Sequence, residues 1–374
     1  MPRLPTVTAG RAGCIRESMP AHIGRRRLLK YAAAGLSIAA LPGAALAQTA
    51  VQRPPKQTVP DEFSVSTPVS IDVNARPLPS FDNRDRSRMR FGELEYRSGL
   101  ILTSRFRGFG GLSGLRLDAR GERFIAISDK AGWFTGRIVY KGREMTRLDD
   151  VEASPILGPD GKPITSRGWF DTEAIALDGA LVYVGLERVN QILRFDFTKG
   201  FTRAHGELVQ LPLGVRKLPY NKGIEALVMV PKGLPMAGTL IAISERGLDA
   251  QGNITAFLIG GKSLALFSIR RTDNFDVSDA VLLPSGGLLL LERKFSWLGG
   301  IGIRIRRIAL GSIGPGAVAD GPAIFEADLG NEIDNLEGID AHVTAEGDTV
   351  LTLVSDDNFS MIQRNLLLQF TLVE

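Results

Sequence analysis

The chain has 374 residues, of which 44% are hydrophobic and 42 are glycine, a composition that excludes a disordered protein and suffices for a large core. The formal net charge of +4 would favour a nucleic-acid partner. This excess of positive charge lies in the first 47 residues, because the remaining chain has 38 basic and 40 acidic residues. We therefore predict that the protein binds no nucleic acid.

The N-terminal segment has the features of an export signal. Residues 24–47 read GRRRLLKYAAAGLSIAALPGAALA, in which a basic stretch precedes a short apolar stretch and an Ala-Leu-Ala cleavage site. Arg25 and Arg26 match the twin-arginine motif of bacterial signals. The apolar stretch is shorter than the ~20 residues of a membrane span. The pattern predicts a twin-arginine signal peptide over residues 1–47, recognition by the twin-arginine export machinery, a periplasmic or secreted location, and no membrane association after cleavage.

The segment after the predicted cleavage site has little structural signal. Residues 48–65 are rich in proline and polar residues and lack periodicity, which predicts a disordered linker. The only cysteine, Cys14, lies in the predicted signal peptide, so we expect neither a disulfide nor a thiolate metal site in the exported protein. Only His205 and His342 remain, and zinc sites or catalytic dyads built on histidine are therefore disfavoured.

A repeated pattern runs through the predicted domain, residues 66–374. Five segments starting near positions 113, 173, 225, 279 and 337 each contain an apolar run, a turn rich in Gly, Pro or Asp, and a second apolar run. Such runs, without a long 3.6-residue period, predict an all-β protein. A repeat of about 50 residues predicts a β-propeller, in which each repeat is one blade. A β-sandwich remains an alternative, although it would not explain the repeat.

The length of the domain predicts six blades, because its residues amount to about six repeats. Only five hairpins are visible in the sequence. We therefore expect the sixth blade to form from residues 93–103 paired with the apolar run 366–374. A ring closed by strands from both ends of the domain would leave no exposed edge strand.

Acidic residues occupy both outer ends of four hairpins. The start of the first strand lies beside the end of the second in an antiparallel hairpin, so the two acids of each hairpin should meet. The pairs are Glu173 with Glu187, Glu225 with Glu245, Asp279 with Glu292, and Glu337 with Asp356. If these strands line the channel, the acids form a ring at one rim. Either the basic residues that follow them or bound Ca²⁺ would compensate the charge.

Several motifs resemble those of the phytase-like domain family, which carries an esterase-like activity. The motifs are GLSGL at 111–115, DTEAIAL at 171–177, NKGIEAL at 221–227, SDAVLLPSGGLLLLERKFSW at 278–297, and NLEGIDA at 335–341. The resemblance covers about residues 90–370 and implies a secreted β-propeller with hydrolase activity.

The resemblance also implies roles for individual residues, because propeller phytases hold Ca²⁺ in an acidic channel mouth. The implied calcium ligands are Glu173, Glu225, Asp279 and Glu337. The implied binding residues for anionic substrate groups are Arg188, Lys222, Arg246 and Arg293. A channel carboxylate would act as general base, with Glu187 and Glu245 as the candidates. The sequence departs from the pattern at Ser113, which stands where the other repeats have an acid.

Three functions remain open from the sequence. The first is a periplasmic, metal-assisted hydrolase of phosphate or carboxylic esters with a small-molecule substrate. The second is a non-catalytic propeller that uses the same rim to bind a ligand or a protein. The third is a lactonase-like hydrolase that acts on neutral esters.

Overall fold

The computed structural model describes Phe63 and residues 67–260, 264–296 and 300–373, all within one compact unit, Gln57–Glu374. The predicted signal peptide and all of the predicted linker except Phe63 lie outside the described residues. No helix among the described residues is long and apolar enough to cross a membrane.

The described residues form β-strands and a few 3-10 helices, which confirms the predicted all-β class. In chain order the strands are β1 (Val69–Ser70), β2 (Val73–Leu78), β3 (Arg90–Phe91), β4 (Leu94–Ser104), β5 (Leu112–Leu117), β6 (Arg123–Ser128), β7 (Gly132–Lys141), β8 (Glu144–Pro155), β9 (Thr172–Asp178), β10 (Leu181–Leu186), β11 (Gln191–Asp196), β12 (Glu207–Leu208), β13 (Ile224–Met229), β14 (Thr239–Leu248), β15 (Ile254–Gly260), β16 (Ala265–Ile269), β17 (Asp276–Leu282), β18 (Gly287–Ser296), β19 (Gly300–Ala309), β20 (Val318–Ala319), β21 (Ala323–Ala327), β22 (Asn335–Val343), β23 (Thr349–Asp356) and β24 (Asn365–Leu372). The 3-10 helices are Ile164–Arg167, Phe197–Lys199, Phe201–Arg203, Val215–Lys217 and Leu310–Ser312.

These strands form five sheets, and each sheet contains one of the five predicted hairpins. The sheet orders are β1-β8-β7-β6-β5, β12-β11-β10-β9, β13-β14-β15-β16-β20, β17-β18-β19-β21 and β2-β4-β24-β23-β22, with β3 paired to β4. We number them blades 1 to 5 in that order. The inner strands β5, β9, β13, β17 and β22 each contact the next, and β22 contacts β5. The described residues therefore form a five-bladed β-propeller.

The prediction of six blades is wrong, because the additional length extends existing sheets. Strand β1 joins blade 1, β20 joins blade 3, and β2 to β4 join blade 5. The expected pairing of residues 93–103 with the C-terminal run is present, with Leu94 opposite Leu372 and Leu102 opposite Asn365. It adds to the hairpin of β22 and β23 and does not form a separate blade.

The hydrophobic core consists of apolar layers between neighbouring blades. The four leucines of β18 show how one strand serves two layers, since Leu288 and Leu290 pack toward blade 3 while Leu289 and Leu291 pack toward blade 5. Side chains alternate along a strand, so a strand buried on both faces is apolar at every position. The inner hairpins are thus held rigidly, and their ends surround one axis.

Candidate active site

A β-bulge interrupts each inner strand at the same place. In β5, β13, β17 and β22 the register shifts lie between Leu112 and Gly114, between Ile224 and Ala226, between Val277 and Asp279, and between Leu336 and Gly338. In β9 the shift lies between Thr172 and Ala174, opposite Gly185 and Leu186 of β10. The bulged residues are Ser113, Glu173, Glu225, Ser278 and Glu337. A bulge re-aims the side chain of the extra residue and is frequent beside functional sites. Three carboxylates and two hydroxyls are therefore placed at equivalent points around the axis.

The second strand of each hairpin contributes one further residue at the same end. In each hairpin, this residue directly follows the second-strand partner of the residue that precedes the bulge. In blades 1 to 5 it is Asp129, Glu187, Glu245, Arg293 and Asp356, respectively. Together with Glu173, Glu225 and Glu337, these positions give seven carboxylates and one guanidinium. We call this set the carboxylate ring.

The bulge changes the predicted site in blade 4. Asp279 follows the bulged residue Ser278, and Glu292 precedes Arg293, so both predicted acids are one position away from the ring. A shift of one residue moves a strand side chain to the opposite face. Glu292 is buried away from the ring and accepts hydrogen bonds from Arg304 and Arg306.

Asp279 is held by Arg116 in the interior of the propeller. The guanidinium donates to both oxygens of Asp279, at 2.8 and 3.0 Å. It also donates to the backbone carbonyls of Leu115, Leu227, Ala280 and Ile339. These partners come from four of the five blades. The placement of Asp279 at the rim as a calcium ligand is therefore wrong, because a buried arginine already occupies both its oxygens.

Arg293 is the central cation of the carboxylate ring. Its guanidinium lies 3.6 Å from Glu225 and 3.5 Å from Glu245, and it forms an ion pair with Glu337. Asn335 accepts a hydrogen bond from Arg293 at 2.5 Å and donates one to Glu337 at 2.8 Å. Burial works against the charge of Arg293, but the surrounding carboxylates outweigh it and raise its pKa.

The other predicted basic residues have individual acidic partners. Lys222 pairs with Glu245 of the ring. Arg188 pairs with Asp171 at 2.5 Å, and Arg246 donates to Asp276 at 2.8 Å through its Nε. Asp171 immediately precedes β9, whereas Asp276 begins β17. Arg293, within the ring, and Lys222, beside it, thus both contact ring carboxylates. Arg188 and Arg246 instead contact acids just outside the ring.

Crowding and burial raise the pKa values of several ring carboxyls. Burial, with Glu225 next in effect, raises the pKa of Glu173 well above its usual value, and burial with Glu187 does the same for Glu225. Burial and Glu245 raise the pKa of Glu187 to about 7, although a hydrogen bond from the backbone N–H of Gly223, at 3.0 Å, opposes the shift. The ring therefore contains a carboxyl group that titrates near neutral pH.

Two further acids of the ring, Asp356 and Asp129, show the same effect. Burial, and then Glu337, raises the pKa of Asp356 to about 9. Burial raises the pKa of Asp129 to about 6, against the nearby charge of Lys130 at 3.4 Å. Protonated and ionised carboxyls therefore coexist in the ring at neutral pH.

The family of the chain follows from its sequence. The model of the phytase-like family, described as esterase-like activity of phytase, matches residues 107–359. The chain belongs to this phytase-like family. The match spans all five inner hairpins, including every bulged residue.

Other comparisons with the phytase-like chain show weaker similarity. A protein of unknown function from Bacteroides caccae is 11% identical, with 64% of this chain and 67% of the other covered and a TM-score of 0.29. The PQQ-bound aldose sugar dehydrogenase of Streptomyces coelicolor is 14% identical (73% and 97% covered, TM-score 0.35), and the glutaminyl cyclase of Myxococcus xanthus is 10% identical (82% and 100% covered, TM-score 0.36). No curated protein matches the chain.

Calcium has suitable donor atoms in the phytase-like ring but no assembled site among the described residues. No group of three or more Asp, Glu, His or Cys side chains in that part of the chain is placed to hold a metal ion. The donors are nevertheless the hard oxygens that calcium prefers, and the buried Oε2 of Glu225 has no hydrogen-bond partner. The ring therefore fits calcium in the type of its ligand atoms. Arg293 contacts two of the predicted calcium ligands, Glu225 and Glu337.

Sequence reasoning missed three features of the phytase-like site. Arg116 stands inside an apolar inner strand, and a lone basic residue in such a run is a usable signal for a buried ion pair. Asn335 precedes the bulged Glu337 by two residues and donates a hydrogen bond to it. Ser278 is the bulged residue of blade 4, but an alignment of the repeats by their acids alone assigns that position to its neighbour Asp279.

Proposed function

We propose that the protein is an exported hydrolase of phosphate or carboxylic esters and that the reaction takes place at the carboxylate ring. Membership of the phytase-like family supports the hydrolase class. The observation that carries the proposal is Glu187, a buried ring carboxyl with a pKa of about 7 that lies close enough to Glu245 to be influenced by its charge. A general base is most effective when its pKa lies near the working pH.

Glu187 is the proposed general base. The Gly223 N–H holds one of its oxygens, at 3.0 Å, which fixes the orientation of the carboxylate. Glu187 would remove a proton from a water molecule as the water oxygen attacks the ester carbon or phosphorus. The bond to the leaving oxygen then breaks, and that oxygen takes up a proton. Asp356, a ring carboxyl with a pKa of about 9, would be protonated at neutral pH and is the proposed donor of this proton.

Arg293 and Lys222 are the proposed binding groups for the anionic oxygens of the substrate. Negative charge grows on the ester oxygens during attack, and fixed cations in a partly buried site stabilise it more strongly than they would in water. Glu245 contacts both cations. We therefore assign Glu245 a positioning role and keep Glu187 as the base.

Calcium is the second component of the proposal. Bound by Glu173, Glu225 and Glu337, it would supply positive charge that polarises the ester oxygen. Arg293 contacts Glu225 and Glu337 in the structure, so calcium and Arg293 would compete for the same oxygens. Because Asp279 is committed to Arg116, we omit it from the proposed ligands.

A substrate screen with two matched variants tests the proposal. The purified protein is assayed with phytate, p-nitrophenyl phosphate, p-nitrophenyl acetate and lactones, in calcium and in EDTA. Glu187→Gln keeps the shape of the side chain and should lower kcat by about 10²-fold or more with little change in thermal unfolding. Glu207→Gln, at an exposed surface pair with Arg194, is the control and should behave as wild type.

The outcomes distinguish the three functions. Hydrolysis of phosphate esters supports the phosphate-directed site, whereas hydrolysis restricted to lactones favours the lactonase-like reaction. Binding without turnover of any substrate would reject the enzyme and leave a ligand-binding propeller. Full activity of Glu187→Gln would reject the assignment of the base even if hydrolysis occurs.

A further inference from the structure

A second cavity lies on the axis at the opposite end of the inner strands. It has a volume of about 420 Å³, which falls within the range of pockets that bind small molecules. The end of each inner strand nearest the hairpin turn contributes to it. Its apolar wall includes Leu177, Val228, Met229, Pro231, Leu282 and Pro284.

The ion pair of Arg116 and Asp279 separates this cavity from the carboxylate ring. Arg116 lines the cavity, but its two terminal nitrogens are already engaged by Asp279 and by four backbone carbonyls. The guanidinium is therefore a poor anchor for a ligand. Its charge is balanced by Asp279, which leaves the other ionisable residues to set the character of the cavity.

Two side chains from β22 provide acceptor atoms at the cavity. Asp340 and His342 are two positions apart on one strand, so they point to the same face. Asp340 is 7% exposed and accepts hydrogen bonds from the backbone N–H groups of Leu117, at 2.6 Å, and of Ala341. A carboxylate can accept more than one hydrogen bond. His342 is 9% exposed, and its buried Nδ1 has no hydrogen-bond partner.

The protonation states make both groups acceptors at neutral pH. Burial raises the pKa of Asp340 to about 6, which leaves it mostly ionised at pH 7. Burial, and then Arg97, lowers the pKa of His342, so its ring is neutral and one nitrogen can accept a hydrogen bond. Asp118 also lines the cavity. With Arg116 paired to Asp279, the cavity carries net negative charge.

We propose that this cavity is a second binding site, for a small organic amine with a compact aliphatic or aromatic body. The ammonium would donate to the carboxylate of Asp340, while the body packs against the apolar wall and the neutral ring of His342. A buried carboxylate is costly without enough partners, and an ammonium supplies it with both an opposite charge and a hydrogen-bond donor. Anionic ligands are disfavoured by the charge of Asp340, and neutral ligands cannot form a charge-assisted hydrogen bond from a cation to it.

Three probes of matched shape test the charge preference. Cyclohexylmethylamine, cyclohexylmethanol and cyclohexanecarboxylate are titrated into the purified full chain at pH 7 and followed by calorimetry and ligand-observed NMR. We expect the amine to bind at least about tenfold more tightly than the alcohol, because charge-assisted hydrogen bonds are about twice as strong as neutral ones. The carboxylate should show no saturable binding.

Variants at the two ends of the axis locate the site. Asp340→Asn should weaken amine binding by at least about tenfold, since it removes the charge and keeps the shape. Glu187→Gln, in the carboxylate ring, should leave amine binding unchanged. If Asp340→Asn does not fold, Met229→Trp provides the second test, because the larger ring fills the cavity and should abolish binding.

Any one of three results would overturn the proposal directly, and a fourth would do so by placing the amine elsewhere. They are equal affinity for the amine and the alcohol, amine binding that survives Asp340→Asn or Met229→Trp in a folded protein, and the absence of saturable amine binding to the wild-type chain. Loss of amine binding in Glu187→Gln would place the amine at the carboxylate ring and also overturn it. None of these results depends on whether the ring hydrolyses an ester.

Discussion

Removal of Arg116 should destabilise the whole propeller. The residue is 6% exposed and its partner Asp279 is fully buried, so substitution of either one leaves an uncompensated charge or unpaired polar groups inside the protein. Loss of one member of a buried ion pair costs ~3–5 kcal/mol. Arg116→Met should therefore lower the free energy of unfolding by about this amount, since four backbone carbonyls lose a donor at the same time.

A double-mutant cycle separates the ion pair from general disruption. Asp279→Asn removes the charge, and its single amide oxygen keeps an acceptor for only one of the backbone N–H groups of Ala280 and Ile339, which donate to different oxygens of Asp279 at 2.8 and 3.0 Å. The double variant should be less destabilised than the sum of the two single variants by about 1–3 kcal/mol. Unfolding is followed by urea denaturation with circular dichroism. The control is Glu207→Gln, whose exposed pair with Arg194 should be worth only ~0.2–1 kcal/mol.

Two outcomes would refute this reasoning. If Arg116→Met costs no more than Glu207→Gln, the buried pair does not stabilise the fold. If the two single costs add in the double variant, Arg116 and Asp279 act independently, and the contact between them has no energetic role.

Four further predictions concern pH, calcium, the terminal strands and export. A carboxyl with a pKa raised by folding binds protons more tightly in the folded protein, so the free energy of unfolding should fall as the pH rises from about 4 to about 9, and Asp356→Asn should flatten this slope in urea titrations at several pH values. If calcium binds the ring, EDTA should lower the melting temperature and Glu225→Gln should remove the difference, whereas identical wild-type melting in both buffers would exclude the metal site. Deletion of residues 366–374 should abolish soluble folded protein, since β24 pairs with both β4 and β23, and unchanged thermal unfolding would contradict this. Replacement of Arg25 and Arg26 by lysine should leave precursor in the cytoplasm, as detected by fractionation, and unimpaired export would exclude the twin-arginine route.

The repeat could be found from the sequence because each inner hairpin has its own turn and apolar runs. The number of blades could not, since β4 extends blade 5 instead of starting a sixth blade, and the short strands that extend blades 1 and 3 lie outside the repeat and resemble linker residues. Strand β1, for example, has only two residues, and both are exposed.

The candidate site could be predicted only in blades with unambiguous acids. Glu173, Glu225 and Glu337 are bulged residues of the ring, as their shared position in the repeat indicated. In blade 4 the neighbours Ser278 and Asp279 differ in charge, and aligning the repeats by their acids makes Asp279 the equivalent of Glu173, Glu225 and Glu337. The bulge lies at the serine, so the serine and not the acid belongs to the ring. The position of a bulge depends on how the sheet packs against both neighbouring blades.

Blade 5 has a consequence for the order of folding. Leu94 pairs with Leu372 at the other end of the described chain, and β2 and β4 share this sheet with β22, β23 and β24. During synthesis β4 emerges long before its partner β24. Its apolar residues therefore stay unpaired with β24 while blades 1 to 4 can already form from local hairpins. Contacts between distant residues slow folding. Completion of blade 5 is therefore expected to be the slow step, and β4 is the segment most exposed to mispairing before that step.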